Sequence, residues 1–240
     1  MTYRRLAILL ALPLLAPAQE PAPKKAPAAA PSEAAQKAAR DRARTRHLPN
    51  GDLQVGKLRL HRRERCISFP AEFVENVSVL EAVIATPEGR LHEALLAADV
   101  SPLQLQAMLY LLGLENGARI GNKSVRQGDL VDLDVEWTNA AGVKEREPIE
   151  SWIIDSRAKA PMQRTGWVFV GSGIRDGHFL ADIEGNICIN YSVGSTILDT
   201  PDPAGADDTI FELNNKKKRP PKTADVRVVL TPRPKVKAGE

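Results

Sequence analysis

Residues 79–113, VLEAVIATPEGRLHEALLAADVSPLQLQAMLYLLG, decide the reading of the fold. Thr86-Pro87-Glu88-Gly89-Arg90 places proline where φ near −65° is wanted and glycine where φ must be positive, the chemistry of a short hairpin loop. The flanking arms, Val79–Ala85 and Leu91–Ala97, are short and aliphatic, as strands are. A hairpin closed between Thr86 and Arg90 sets Val83 opposite Glu93 and Glu81 opposite Leu95. Glu81, Val83, Leu91, Glu93 and Leu95 then share one face, and Leu80, Ala82, Ile84, His92, Ala94 and Leu96 the other.

Ser101-Pro102 supplies a side-chain N-cap followed by proline at the first helical position. Leu105, Met108, Leu109 and Leu112 follow at i, i+3, i+4 and i+7, with Leu103, Ala107 and Leu111 widening the apolar stripe, and Gly113 stands where a helix ends. The pattern predicts a principal helix over about 102–112, laid on the aliphatic face of the hairpin.

The ends of the chain have a different composition. Arg4 and Arg5 precede an apolar run, Leu6–Leu15, and Ala16-Pro17-Ala18 makes an A-x-A cleavage signal, so residues 1–18 read as a signal peptide. The apolar run is about half of the roughly 20 residues a membrane span needs, and nothing later in the sequence approaches that length. Residues 19–47 are rich in Ala, Pro, Lys and Arg and read as a disordered tether. The domain is expected over 48–233, and 234–240 reads as a disordered tail. The whole chain is +3; leader and tether hold +6 of this and the tail +1, leaving −4 between 47 and 233. The basic character therefore belongs to the ends, which argues against nucleic acid as a partner. The expected address is periplasmic or extracellular.

Two cysteines, Cys66 and Cys188, exclude a cysteine-ligated cluster or zinc knuckle. Both stand in apparent strands. In an oxidising compartment they form either a disulfide or two buried thiols.

Elsewhere the chain reads as strands. Leu53–Leu60 alternates, a strand runs through Phe69 to Pro70, and Asp129–Thr138 returns through a turn at Asn139–Gly142 into Val143–Glu147. Pro148 opens one helical turn carrying Ile149, Trp152 and Ile153. Trp167–Val170 is a wholly apolar strand, Phe179–Glu184 and Asn186–Ser192 a further hairpin around Gly185, and Val226–Leu230 a last strand. Residues 207–219 read as a polar loop. The expected class is α+β: a mainly antiparallel β-sheet built from hairpins with one principal helix packed on it.

In this order LEAVIATPEGRLHEALL, a helix ending in LLG, VDLDVEW, PIESWIID, WVFVGS and DIEGNICINY…ILDTP resemble the YdjY-like domain of exported bacterial proteins, from about Gly51 to Arg233. In the pattern of that family, Glu81, His92 and Glu93, and Trp167, Phe169, Gly171 and Ser172, stand at matching positions. The family has no assigned reaction. The resemblance implies export and the domain boundary rather than a chemistry.

Two carboxylates close together in apolar company repel and lose solvent, which raises the pKa of at least one. Glu81 and Glu93, on one face of the expected hairpin, are therefore the candidate catalytic pair or hard-cation site. The competing reading is a wet face on which they are ordinary surface acids. Candidate binding residues are Trp167, as a stacking surface, Ser172 in the Gly171–Gly173 turn, and Asp182 and Glu184, which with His178 offer three donors in seven residues. No G-x-S-x-G, H-E-x-x-H or G-x-G-x-x-G is present, and no cofactor is expected. The functional expectation is an exported, non-catalytic envelope or extracellular module that binds a protein, a polymer or a small ligand. The alternative is an exported hydrolase-like or metal-dependent enzyme using Glu81 and Glu93.

Overall fold

The computed structural model describes residues 44–117, 127–192 and 194–235. The expected signal peptide, the tether as far as residue 43 and the tail beyond 235 lie outside the described residues. Folded chain begins inside the expected tether: Thr45–His47 is a strand (β1) paired antiparallel with β2, Leu53–Val55.

The expected single strand over 53–60 is a hairpin. Gly56, at positive φ, turns β2 back into β3, Leu58–His61. β4 (Cys66–Pro70) and β5 (Glu72–Phe73) are successive pieces of one run broken at Ala71, and β6 (Ala82–Ala85) and β7 (Ala94–Ala97) follow. The principal helix, α1, is Pro102–Leu111. β8 (Leu130–Thr138) and β9 (Lys144–Pro148) form the expected hairpin about Asn139–Gly142. A 3₁₀ turn at Ile149–Trp152 leads to β10 (Ile153–Asp155), β11 (Ala160–Pro161) and β12 (Trp167–Phe169). β13 (Ile174–Arg175) and β14 (His178–Phe179) make a small ribbon before a short helix, α2, Leu180–Glu184. β15 (Asn186–Ile189), β16 (Leu198–Asp199), β17 (Phe211–Leu213) and β18 (Arg227–Pro232) complete the chain.

The main sheet runs β1-β2-β3-β4-β18-β8-β12-β16-β15-β6-β7-β5, with β9 beside β8. β4 and β5 are consecutive in sequence yet far apart along this path, so the sheet curls back on itself around the core. That core holds Ile67, Phe69, Val83, Leu95, Val135, Trp167, Phe169, Ile187, Val228 and Leu230, all essentially without solvent contact. β17 lies outside the main sheet, in a three-stranded one with β10 and β11, where a loop was expected.

The fold is mainly β with one principal helix, and the sheet is mixed rather than built from hairpins throughout. β6 and β7 are parallel, with Ala82 beside Ala94, Ile84 beside Leu96 and Ala85 beside Ala97. A turn is present at the proline and glycine, with the Gly89 N–H bonded to the Thr86 carbonyl, but Gly89 does not take the positive φ expected of it. The chain then continues through a 3₁₀ turn, Leu91–Glu93, instead of folding back. Both strands are buried on both faces, and a parallel pair accepts that where a half-exposed hairpin does not. β15 pairs antiparallel with β6 and parallel with β16.

α1 begins as expected, with the Ser101 Oγ accepting from the Gln104 N–H, and ends at Gly113 with φ of 82°. Its buried side, Leu105, Met108, Leu109 and Leu112, joins the core. The helix makes its main contacts with β3 and α2, and the 79–97 hairpin expected beneath it does not form. The other expected hairpin is also replaced: 180–184 is helical, closed by Gly185 in the left-handed conformation, and only 186–189 is strand.

The two cysteines are unbonded. Cys66 is in β4 and Cys188, fully buried, in β15; β18, β8, β12 and β16 stand between them along the sheet.

The crossover from β6 to β7 is held by a glycine–glycine approach. Thr86 N–H bonds the Gly185 carbonyl at 2.8 Å, and a Cβ on Gly185 would lie 2.4 Å from the Cα of Gly89. Gly185 also needs its positive φ of 69°. Gly185→Ala is expected to lose about 2–4 kcal/mol in denaturant titrations, whereas Gly51→Ala, whose Cβ meets nothing, loses about 1 kcal/mol from φ alone.

Candidate functional site

The parallel register determines where the two acids go. Glu81 and Glu93 are the residues immediately before β6 and β7, so the pairing of Ala82 with Ala94 sets them side by side. The Glu81 N–H donates to the Glu93 carbonyl at 3.0 Å. Both side chains are mostly covered. Arg90, at the end of the turn, closes over them with Nη1 2.8 Å from Glu81 Oε2 and 2.7 Å from Glu93 Oε2. His92, largely exposed, stands with Nε2 3.3 Å from Glu93 Oε1; the 3₁₀ turn brings it to the same side, where alternation along a strand had put it on the opposite face.

Burial pushes the Glu81 carboxyl up, the charge and hydrogen bond of Glu93 push it further, and Arg90 opposes both without cancelling them. Two acids here share one guanidinium, which sits where a hard cation would.

A second cluster gathers around Ser172. It follows β12, and its Oγ lies 2.6 Å from Ser195 Oγ while accepting from the Ala181 N–H at the start of α2. Gln106 of α1 grips its backbone in both directions: the Ser172 N–H donates to Oε1 and Nε2 donates to the Ser172 carbonyl. The peptide N–H that an anion cradle would use is therefore taken. Glu184 Oε2 accepts from the Ser195 N–H at 2.5 Å and from Asn186 Nδ2 at 3.3 Å. Ser172, Arg175, Glu184, Ser195 and Thr196, with Gly171, Gly173 and Gly194, line an open polar cleft of about 360 Å³. Arg175 is exposed at its rim. Neither Glu81 nor Glu93 lines this cleft.

The remaining expected residues have other duties. Trp167 is fully buried and presents no stacking surface; its Nε1 donates to Glu150 Oε1 at 2.9 Å. Asp182 leaves the cleft and caps α1, Oδ1 accepting from the Leu103 N–H at 3.1 Å and from the Ser101 hydroxyl at 3.3 Å. Because 182–184 is helical, Asp182 and Glu184 diverge, and the three-donor turn with His178 does not form.

Two charged clusters were not anticipated. Glu150, in the 3₁₀ turn before β10, is 2 % exposed, and its Oε2 has no hydrogen-bond partner among the described residues. Burial raises its carboxyl to about 6, against the bonds it accepts from its own backbone and Trp167. Its signal in the sequence was an acid set among Ile149, Trp152 and Ile153. Asp52, His61 and Glu64 bring ligand-type atoms within 4.8 Å of one another. There Asp52 Oδ2 already receives Asn50 and Arg59, at 2.8 and 3.0 Å, so an arginine holds the position of a cation. Burial would raise the Asp52 carboxyl, but those bonds outweigh it and hold it low.

No family model, no curated protein and no solved structure matches the chain.

Two outcomes follow from the acids. Arg90→Gln leaves Glu81 and Glu93 facing one another; because carboxyls raised in the fold lose stability as pH rises, the variant should be near wild type at pH 4 and weaker by on the order of 1 kcal/mol at pH 7 in urea titrations. Glu150 holds its proton more tightly folded than unfolded, so its stabilisation is complete below about 4.5 and declines as pH rises through about 6. Glu150→Gln should therefore lose this part of the pH dependence, unfolding with a shallower decline across the window and exceeding wild type by about 2 kcal/mol at pH 7.5.

Proposed function

We propose that the protein is an exported YdjY-like module of the cell envelope that binds a small polar ligand without transforming it. The observation that carries this reading is the cleft at Ser172. Two of the residues the sequence singles out for binding, Ser172 and Glu184, meet there with Ser195 and Arg175, offering hydroxyls and both charge signs in about 360 Å³. Its walls are fixed by bonds to α1, α2 and β15, so a ligand finds a largely prepared surface. The order of motifs from Gly51 to Arg233 supports the family reading, and the leader-like residues 1–18 support export. The net negative charge of residues 47–233 argues against nucleic acid as the ligand. Among the described residues no helix is long and apolar enough to cross a membrane.

A second reading, a hydrolase-like or metal-dependent enzyme, draws on one observation: the raised Glu81 carboxyl beside Glu93. Arg90 between the two acids counts against a metal there.

Incubating the immobilised protein with its own envelope fraction tests the proposal. A polar small molecule or glycan should be retained unaltered, and Arg175→Ala should release it. Retention unaffected by that change, or recovery of a chemically altered product, contradicts the proposal. A melting temperature raised by divalent metal and insensitive to Arg175→Ala would favour the enzyme.

A further inference from the structure

A helix on the surface of a protein normally turns charged residues outward. α1 has none: from Pro102 to Leu111 every residue is apolar, glutamine or tyrosine. Its inner side is buried in the core, yet its outer side is also apolar. Leu103, Tyr110 and Leu111 are 46 %, 44 % and 62 % exposed, and Ala107 between them is open to solvent. Ile183 of α2, beside the start of α1 where Asp182 meets the Leu103 N–H, adds another exposed aliphatic group at 58 %. Together these expose several large apolar side chains on one side of α1 and beside it, the kind of grouping that marks an interaction surface.

We propose that this face is a homodimer interface, in which α1 packs antiparallel on α1 of a second copy about a two-fold axis beside Ala107. Leu103, Ala107 and Leu111 lie four residues apart on one ridge, the ridge that meshes when two helices cross in the commonest globular packing. The ridge is symmetric about its small central residue. A two-fold axis there lets the backbones approach at Ala107 and seats Leu103 of each copy against Leu111 of the other, the self-complementarity a two-fold contact requires. An uncharged ridge meets its own copy without like-charge repulsion. The ends are complementary as well: Asp182 caps the start of α1, and Arg65 binds the Leu112 carbonyl at its finish, so antiparallel packing sets the acidic end of one copy over the basic end of the other. A contact confined to one short helix is small for a protein interface, so the dimer should be a weak, concentration-dependent one.

Sedimentation equilibrium of the full chain from about 1 to 200 µM tests this, with a cysteine placed on the proposed axis. The wild type should pass from monomer to dimer. Leu111→Glu and Leu103→Glu, at exposed positions, should keep the wild-type circular dichroism and melting temperature while weakening association at least about ten-fold. In a Cys66→Ser background, Ala107→Cys should oxidise to a covalent dimer and Leu103→Cys alone should not. A chain monomeric at about 200 µM overturns the proposal. So does association that survives both glutamates, which would place the contact on another part of the chain. A dimer that the Ala107→Cys variant fails to bridge overturns it as well, and would assign the face to another occupant such as lipid.

Discussion

Parallel, in-register pairing of 82–85 with 94–97 is the constraint on which the rest depends. Each strand is a run of aliphatic residues with no polar side, Ala-Val-Ile-Ala and Ala-Leu-Leu-Ala, and each is buried on both faces. A pair of this kind needs covering above and below. The curled sheet supplies it, with Val83, Ile84, Leu95 and Leu96 entering the main core and Ala82, Ala85 and Ala94 packing with Ile189 in a smaller one. Because the strands run the same way, the chain between them must cross over. Eight residues suffice, since the turn at Pro87–Gly89 and the 3₁₀ turn at Leu91–Glu93 rise directly over Gly185. The alanines and the bare backbone at Gly89 and Gly185 belong to one requirement, that strand, crossover and the turn after α2 pack with almost nothing between them.

The acid couple is a by-product of that register. Residues preceding two parallel strands are neighbours whatever their side chains, and here both are glutamates. Partial burial makes their repulsion costly, and Arg90, delivered by the crossover itself, offsets it. The same arrangement recurs around the sheet, where Asp134 lies between Arg146 and Arg164 and Asp52 beneath Arg59. Glu150 is the exception, a buried acid that among the described residues has no ion-paired arginine, one oxygen accepting from the Trp167 indole N–H and the other without a hydrogen-bond partner. The cleft at Ser172 differs in kind: its two serine hydroxyls bond each other, and the exposed Arg175 stands in its lining.

Much of this was legible in the sequence. Ser101-Pro102 and Gly113 mark both ends of α1, Asn139–Gly142 marks its hairpin, and the apolar stretches 66–70, 167–169 and 227–232 are strands. The proximity of Glu81 and Glu93 was legible too, although an antiparallel pairing led to it and a parallel one produces it. Proline and glycine specify a turn but not the direction in which the chain leaves it. The discriminating signal lay in the arms: a half-exposed hairpin alternates, and these strands do not. Phe179–Glu184 alternates enough to pass for a strand, but Asp182 is drawn into capping α1, a contact across some eighty residues that no local pattern encodes. Trp167 as a binding surface failed for a similar reason, since only the assembled sheet shows that its ring is enclosed. The serine cleft was half legible: Ser172 and Glu184 stood out, while Ser195 and Arg175 join them only through the fold.

Interstrand contacts measured by NMR test the central claim most directly. Parallel pairing predicts backbone proton contacts linking Ala82 with Ala94 and Ile84 with Leu96. Contacts linking Val83 with Glu93 and Glu81 with Leu95 would mean that the chain folds back as a hairpin, and would contradict the crossover, the origin of the acid couple and the packing of Gly89 on Gly185 together.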